Sequence, residues 1–318
     1  MKTFDHPAEA KRLPFWHLTK QFIHLRRYAF TVFLPLMGAA TADGDASLVQ
    51  ILLIILTAFQ FHLFTYIFND VIDLPVDRFM EKRADHPLVR GDMSPRTALF
   101  IALIQVPLVL FTTWFVGLSL SALAALIVAL LFMAVYDLWG KKNPFPPATD
   151  LIQALSWGSL TLYGAWVVGS PGILTYFLAA IFAVFILLMN GVFEGVIDIE
   201  EDSKANLKTT AMIFGVRRRG ENELPFIPTS LLVYCLVLEA VLSALNLIPL
   251  AVNYFGYSPN LRTILLAVVI ALNLAIVWLS VKLVLPSERL RLKIKDEHID
   301  LMSIFSILIL LVAYMPSL

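Results

Sequence analysis

The sequence predicts an all-α, multi-pass membrane protein with nine transmembrane helices around a central cavity and a cytoplasmic N-terminus. Three observations lead to this prediction: a hydrophobic fraction of 59%, a charged fraction of 15% and a mean hydropathy of +0.79. Soluble domains are about a quarter charged, so this chain lies outside their range. We expect residues 1–318 to form a single transmembrane domain.

Apolar stretches define the helices, because roughly 20 such residues cross a bilayer as an α-helix. The sequence predicts nine of them, near residues 22–41, 47–69, 95–117, 119–137, 149–168, 171–192, 226–249, 261–284 and 298–316.

The basic residues test that number of spans independently. With nine alternating helices, all of the 24 Lys and Arg residues except Arg262 lie on one side of the membrane. Lys and Arg are enriched on the cytoplasmic side, which places the N-terminus there. The first twenty or so residues are polar or mixed and do not resemble a cleaved signal peptide. In a eukaryotic cell we expect such a protein in the endoplasmic reticulum.

Several classes of function are not favoured by the composition. The single cysteine, Cys235, lies in an apolar span, so neither a disulfide framework nor a CxxC metal site is predicted. The net charge is zero and the basic residues flank membrane spans, so we expect no nucleic-acid partner.

Two acid-rich segments follow one plan. Residues 68–77 (the first acidic segment) read FNDVIDLPVD, and residues 193–202 (the second acidic segment) read FEGVIDIEED. Asp73 matches Asp198 and Asp77 matches Asp202 at one constant offset. Isolated acids at helix ends are often only solvated, but this pairing on one predicted face favours a shared chemical role.

The spacing of the acids predicts a cation site. Residues at i, i+3 and i+7 lie on one helix face, although Pro75 can kink or end the helix. Mg²⁺ prefers oxygen ligands and binds through carboxylates together with substrate phosphates. We therefore expect Mg²⁺ as cofactor, with these ligands: Asn69, Asp70, Asp73, Asp77, Glu194, Asp198 and Asp202. The catalytic carboxylates among them are Asp70, Asp73, Asp198 and Asp202.

Basic residues near the acids indicate a phosphorylated substrate. They would neutralise a diphosphate that the metal bridges, as a departing anion requires. A diphosphate head at the membrane rim and a tail among apolar helices suit an isoprenyl diphosphate in membrane lipid. The predicted diphosphate-binding residues near the two segments are Arg78, Lys82, Arg83, Lys204 and Lys208.

Polar and aromatic residues inside the helices leave alternatives open. Glu239 is central in its span and either lines the substrate cavity or bonds a neighbouring helix, with Asn246 or Asn273 as the candidate partner. Trp157 could stabilise a carbocation through its ring face, although aromatic residues are ordinary in membrane helices. His62 is expected to be a packed, hydrogen-bonded side chain.

Asn69-Asp70-x-x-Asp73-x-x-x-Asp77 resembles the NDxxDxxxD signature of the UbiA superfamily of intramembrane prenyltransferases, and residues 82–91 resemble its following basic stretch. Asp198-x-x-x-Asp202, with Lys204, Lys208 and Thr209, is similar to the second family motif. The resemblance covers essentially the whole chain. It implies nine helices with motifs after helices two and six, and Mg²⁺-dependent ionisation of an isoprenyl diphosphate in a membrane-open cavity.

The chain departs from the family pattern at three places. Gly195 replaces the first Asp of the second motif, with Glu194 before it, and His86 replaces the usual Arg before Pro87. Tyr136, followed by Lys141 and Lys142, resembles the family's tyrosine and basic residues after helix four, with one extra residue between them. By this resemblance Tyr136 is a cavity candidate and Lys142 a diphosphate ligand.

The leading functional hypothesis is a class I terpene cyclase, since the chain resembles the fungal UbiA-type membrane terpene cyclases. Such an enzyme would ionise farnesyl diphosphate and close the cation into a sesquiterpene. The alternative is a UbiA-type prenyltransferase that moves the isoprenyl group to an aromatic acceptor. A transporter or channel would place its acids near the bilayer midplane, whereas here they gather at one rim.

Overall fold

The computed structural model describes residues 19, 21–80, 83–115, 119–140, 143–219, 225–284, 304 and 307–309. This part of the chain is predominantly helical and falls into two compact units. The first contains the described residues up to Trp139 and Ser159–Pro171, and the second contains Gly140–Gly158 and the described residues from Gly172 onward. The single domain remains a prediction.

The first unit is built on one long helix, α2, which packs most extensively against α4 and also contacts α1, α3 and α5. Two short strands pair antiparallel, with Ala42 opposite Pro171 and Asp43 opposite Ser170. The elements are α1 (Leu25–Ala40), β1 (Ala42–Asp43), α2 (Leu48–Asp77), α3 (Pro87–Arg90), α4 (Pro95–Phe115), α5 (Leu120–Trp139), the part of α6 (Pro146–Val168) from Ser159 on, and β2 (Ser170–Pro171).

The second unit begins with the first half of α6. Its helix α11 packs against both α7 and α12. Its other elements are α7 (Ile173–Leu188), a π-helix (Met189–Glu194), α8 (Gly195–Ile197), α9 (Ile199–Lys204), α10 (Thr210–Ile213), α11 (Thr229–Ala251) and α12 (Pro259–Val284).

Seven helices in the described residues are long and apolar enough to cross a membrane. They match seven of the nine predicted spans, with boundaries shifted by a few residues, most at the end of α2. The span predicted at 22–41 is a helix of 16 residues, α1, which at 1.5 Å per residue is about 24 Å long and shorter than a hydrocarbon core of about 30 Å. The span predicted at 298–316 lies almost wholly outside the described residues.

Helix α2 is long enough to pass the edge of the membrane. It begins at Ser47, whose side chain and that of Gln50 form a reciprocal capping box. Its 30 residues correspond to about 45 Å, about 15 Å more than the hydrocarbon core. The first acidic segment forms its last turns and so projects toward one rim of the membrane.

Small residues let α1 and α6 approach closely within the first unit. A methyl group added at Gly164 would overlap the backbone carbonyl of Pro35, and one added at Gly38 would overlap that of Thr161. Membrane helices associate through such small residues because lipid provides no hydrophobic drive between them. The hydroxyl of Tyr163 on α6 donates to Thr57 Oγ1 on α2 over 3.0 Å, so a buried polar contact fastens the same region.

Candidate active site

The three carboxylates of the first acidic segment are buried. The exposed fractions of Asp70, Asp73 and Asp77 are 1%, 6% and 3%. Their spacing places them on one face of α2, and the helix continues through Pro75 to Asp77. Buried carboxylates need counter-charges or hydrogen bonds, so this face requires cationic partners.

Two histidines surround Asp70. His24 Nε2 lies 2.7 Å from Asp70 Oδ2 in a hydrogen bond, and His86 Nε2 lies 3.2 Å from the same oxygen. His24 precedes α1 and also stacks on the ring of Tyr66, with 4.9 Å between centroids. Asp70 thus joins two segments that are far from it in sequence to the end of α2.

A short turn returns the chain to α2 and places His86. His86 is the N-cap of α3, and Pro87 occupies the first helical position, where its missing N–H costs nothing. Gly91 ends the helix with φ of 81°, a left-handed conformation that favours glycine. These local signals fix His86 beside Asp70.

Arg83 supplies a guanidinium to the same face. Its Nη2 lies 3.3 Å from Asp70 Oδ1, and its Nε lies 3.3 Å from Asp77 Oδ2. One side chain therefore bridges two of the three buried carboxylates. Arg83 therefore lies at the first acidic segment, while its predicted contact with a diphosphate stays a prediction.

Asn69 is oriented by a residue on α5. Its Nδ2 donates to Asp137 Oδ1 over 3.0 Å, and Asp137 is buried. Because the amide nitrogen is engaged, the carbonyl oxygen is the atom of Asn69 suited to a cation. The neighbouring Tyr136 is half-buried.

The second acidic segment lies where the winding of a helix changes. The π-helix ends at Glu194, and such irregular turns are frequent at functional sites. Asp198 N donates to Glu194 O over 2.8 Å, and Asp202 N donates to Asp198 O over 2.9 Å. The predicted spacing of one turn between these three acids is therefore present, and all three are half-buried.

Close packing within the second unit favours glycine at position 195. A Cβ added there would lie 2.9 Å from Ala211 Cβ, closer than side-chain carbons normally approach. An aspartate at this position, as in the related motif, would collide with α10. Nearby, Thr210 Oγ1 donates to the buried Asp150 Oδ2 over 2.5 Å, which ties α10 to the start of α6.

The remaining predicted bases are mostly on the surface. Arg78 ends α2 and is exposed, and Lys208 is exposed as well. Lys204 pairs with Glu200 over 2.8 Å, with both side chains about half exposed. Lys82 and Lys142 lie outside the described residues, so their contact with a diphosphate stays a prediction.

Glu239 forms a hydrogen bond with a neighbouring helix, and its place in a substrate cavity stays a prediction. Ser280 Oγ on α12 donates to Glu239 Oε1 on α11, and Glu239 is buried. The predicted partners Asn246 and Asn273 were wrong, because Asn246 Nδ2 donates to Asn273 Oδ1 instead, over 3.3 Å. This hydrogen bond offsets part of the cost of burying Glu239.

Trp157 and His62 are both packed inside their units. Trp157 on α6 is buried. His62 Nε2 donates a hydrogen bond to Ile23 O, and His62 Nδ1 shares one with Thr31 Oγ1, each over 2.9 Å. The expectation of a packed, hydrogen-bonded His62 is confirmed, and a substrate contact of Trp157 stays a prediction.

Sequence reasoning missed His24, Asp137 and Asp150. His24 and Asp70 are 46 residues apart, and no local spacing links them. The only sequence feature that indicated a histidine near the acidic segment was His86, which stands where the related motif has arginine. Asp137 follows Tyr136 directly, so it lay beside a predicted site residue.

A family model provides the decisive comparison. The model described as the UbiA prenyltransferase family matches residues 30–296, a range that includes both acidic segments. The chain belongs to the UbiA prenyltransferase family. The predicted superfamily and the multi-pass membrane class are therefore confirmed. The number of nine spans, the orientation of the N-terminus and the endoplasmic reticulum stay predictions.

Two named relatives of this UbiA family member illustrate its similarities. Digeranylgeranylglyceryl phosphate synthase of Pyrococcus abyssi is 32% identical over 150 residues, which are 47% of this chain and 51% of that protein. 4-Hydroxybenzoate octaprenyltransferase of Tolumonas auensis is 28% identical over 153 residues, which are 48% of this chain and 52% of that protein. The chain spans about half the length of the relatives that it matches.

A solved structure supports the fold over nearly the whole chain. A UbiA homologue from Archaeoglobus fulgidus, solved bound to GPP and Mg²⁺, superposes with a TM-score of 0.64 at 21% identity, covering 93% of this chain and 98% of that one. The predicted helical UbiA fold is confirmed at this level.

The leading hypothesis of a terpene cyclase gains no support from these similarities. Neither named relative is a cyclase by name, and one is a prenyltransferase by name. Membership of the prenyltransferase family favours the alternative instead. The cyclase hypothesis rested on overall sequence character and on the altered second motif, and the packing of Gly195 against Ala211 accounts for that alteration without a change of reaction.

Proposed function

We propose that this UbiA family member is an Mg²⁺-dependent intramembrane prenyltransferase that uses an isoprenyl diphosphate. The observation that carries the proposal is the buried face formed by Asp70, Asp73 and Asp77 at the projecting end of α2. Three carboxylates are buried together with a guanidinium at a membrane rim, which is a costly arrangement in a protein that binds no cation.

The oxygen donors present suit magnesium. In the first acidic segment Asp70, Asp73 and Asp77 would hold Mg²⁺, with the carbonyl oxygen of Asn69 beside them. In the second segment Glu194, Asp198 and Asp202 would do so. When bound, Mg²⁺ would neutralise the diphosphate and so favour its departure. The relative solved with GPP and Mg²⁺ supports this assignment.

Bases lie near each of the two acidic segments and are the candidates for binding the diphosphate. We propose Arg78, Arg83, Lys204 and Lys208 for this role, together with Lys82 and Lys142. Arg83 already touches the acid cluster, so it can hold a phosphate oxygen without leaving the site. The other described bases are exposed and approach the head group from solvent.

The proposed reaction transfers the isoprenyl group from the diphosphate to an acceptor. The bond between C1 of the isoprenyl chain and the diphosphate oxygen breaks, and the electron pair leaves with the diphosphate. The nucleophilic atom of the acceptor then forms a bond to C1 and gives up a proton. Apolar helices hold the chain and exclude water, which would otherwise capture the allylic cation.

The names of the relatives suggest two classes of acceptor. One refers to 4-hydroxybenzoate, an aromatic acid, and the other to a glyceryl phosphate. The aromatic acceptor is the one expected from the sequence, and the glyceryl phosphate is the one named by the relative of higher identity. The test incubates the purified full chain in nanodiscs with Mg²⁺, farnesyl or geranylgeranyl diphosphate, and either 4-hydroxybenzoate or geranylgeranylglyceryl phosphate. Mass spectrometry of the extract identifies the prenylated product.

The outcomes of this test are distinct. A prenylated 4-hydroxybenzoate that requires Mg²⁺ supports the proposal, and a prenylated glyceryl phosphate supports prenyl transfer with the other acceptor. A hydrocarbon formed without any acceptor would favour the cyclase instead. If no diphosphate is released under any of these conditions, the result would contradict both prenyl transfer and cyclisation.

A further inference from the structure

The cluster of His24, Asp70 and His86 has a composition that magnesium does not require. One ligand atom from each side chain lies within 4.8 Å of the other two. Imidazole nitrogen suits Zn²⁺ and its neighbours in the first transition row, whereas Mg²⁺ prefers oxygen donors alone. Two histidines and one carboxylate, with a position left for water or substrate, form a common set of ligands for catalytic zinc.

His86 provides an independent indication of a missing ligand. Its side chain is 6% exposed and lies 3.2 Å from Asp70 Oδ2, yet among the described residues its Nε2 has no aligned hydrogen-bond partner. The ion pair with Asp70 compensates only part of the cost of burying this nitrogen, because its hydrogen-bond geometry is not aligned. A cation between the nitrogen and the carboxylate would remove that cost.

The spacing of the ligand atoms fits a small cation. The two nitrogens lie 2.7 Å and 3.2 Å from one carboxylate oxygen. Zinc binds nitrogen at about 2.0–2.1 Å and carboxylate oxygen at about 2.0–2.2 Å, so two ligands of one ion are about 3 Å or more apart. The two nitrogens and the carboxylate oxygen lie within 4.8 Å of one another, so a small rearrangement of the side chains would bring all three atoms around one ion.

The two oxygens of Asp70 have different partners. Arg83 pairs with Asp70 Oδ1 over 3.3 Å, while both histidines contact Asp70 Oδ2. The backbone of His24 has φ of 47°, a left-handed conformation that costs a residue other than glycine energy. This unfavourable backbone conformation occurs at His24, whose imidazole contacts Asp70.

We propose that His24, Asp70 and His86 form a binding site for a zinc-class divalent cation. The nitrogen donors give this site a preference for Zn²⁺ or Co²⁺ over Mg²⁺, which distinguishes it from an all-oxygen site at the remaining acids. The proposal does not depend on prenyl transfer, because binding can be measured without any diphosphate. It shares Asp70 with the proposed magnesium ligands and adds two residues to that end of α2.

The experiment titrates the metal-stripped full chain in detergent with Co²⁺, followed by its visible absorption, and with Zn²⁺ in the presence of excess Mg²⁺, followed by calorimetry. His24→Gln and His86→Arg remove one ligand each. We expect each change to weaken binding by at least the roughly 10–100-fold that loss of an outer-shell partner causes. Asp85→Asn, an exposed acid beside His86, should leave both titrations unchanged.

Two further measurements decide the remaining cases. Thermal melting of each variant identifies a loss of binding that is only a loss of folding. X-ray absorption at the zinc edge of the unaltered protein requires no variant and should show imidazole scattering. Zinc surrounded only by oxygen, or Co²⁺ affinities of both histidine variants that equal that of the unaltered protein, would overturn the proposal and leave a cluster held by hydrogen bonds.

Discussion

Asn69 on α2 donates its side-chain amide to Asp137 on α5 over 3.0 Å. This contact engages the amide nitrogen of Asn69, so the carbonyl oxygen is the atom that is left to bind a cation. Asp137 is therefore a positioning residue for the proposed magnesium site.

Replacement of Asp137 should slow the reaction through Asn69. In Asp137→Ala the amide of Asn69 loses its orientation, and we expect kcat to fall by about tenfold, equivalent to one hydrogen bond of about 1.4 kcal/mol. The steady-state rate of diphosphate release measures the effect. If Asp137 acts through Asn69, the double variant with Asn69→Ala should be no slower than Asn69→Ala alone. Multiplied losses would contradict this role.

Replacement of Arg83 should destabilise the fold in a way that magnesium repairs. Arg83→Gln removes the guanidinium that bridges Asp70 and Asp77, which should lower the free energy of unfolding by about 1.5–3 kcal/mol. A bound divalent cation supplies the missing positive charge, so the loss should be smaller in Mg²⁺ than in EDTA.

Thermal melting in the two buffers measures the effect of Arg83→Gln. The matched control is Arg90→Gln, since Arg90 pairs over 2.7 Å with Asp92, a partly exposed acid outside the acidic segment. The control should show a small loss that Mg²⁺ does not change. Equal losses of Arg83→Gln with and without Mg²⁺ would argue against a cation at this cluster.

Replacement of Glu239 should change stability and leave catalysis intact. Glu239→Ala removes the contact with Ser280 and should cost about 0.6–1.7 kcal/mol, the range of hydrogen bonds between membrane helices. Diphosphate release at saturating substrate should stay within about twofold of wild type, since less than about 0.4 kcal/mol of the barrier is involved. A much slower reaction with unchanged melting would instead place Glu239 in the substrate cavity.

A methyl group at Gly164 should disrupt the contact between α1 and α6. The added carbon of Gly164→Ala overlaps the carbonyl of Pro35, and overpacking of this kind costs about 1–3 kcal/mol. Gly158→Ala is the graded control, because its Cβ would lie 3.2 Å from Ala179 O and needs only a small shift. Thermal melting should rank Gly164→Ala well below Gly158→Ala, and the reverse order would contradict the packing.

The apolar spans and the acidic segments were predictable because each has a local pattern. Runs of apolar residues located the seven long helices, and the repeat at residues 68–77 and 193–202 located the carboxylates. The ends of helices were less predictable. Helix α2 continues through Pro75 because that residue is exposed in its last turns, where the missing N–H disturbs little of the helix.

The contacts around the carboxylates were not predictable from spacing. His24 meets Asp70 and Asp137 meets Asn69 only because distant helices pack together. The π-helix before Gly195 also has no simple sequence signal, and it decides how the second acidic segment is presented. Such features arise from tertiary packing, which a local pattern does not contain.

The most direct test of the account compares one substitution at three aspartates. Diphosphate release from farnesyl or geranylgeranyl diphosphate is measured with Mg²⁺, with and without acceptor, for Asp73→Asn, Asp198→Asn and Asp85→Asn. Asp73 is 6% exposed, and the side chain of the control Asp85 is 72% exposed. The account predicts that the first two variants remain folded and lose release by at least about a hundredfold, nearly 3 kcal/mol of barrier, while Asp85→Asn matches wild type. Full activity of Asp73→Asn and Asp198→Asn would contradict the account.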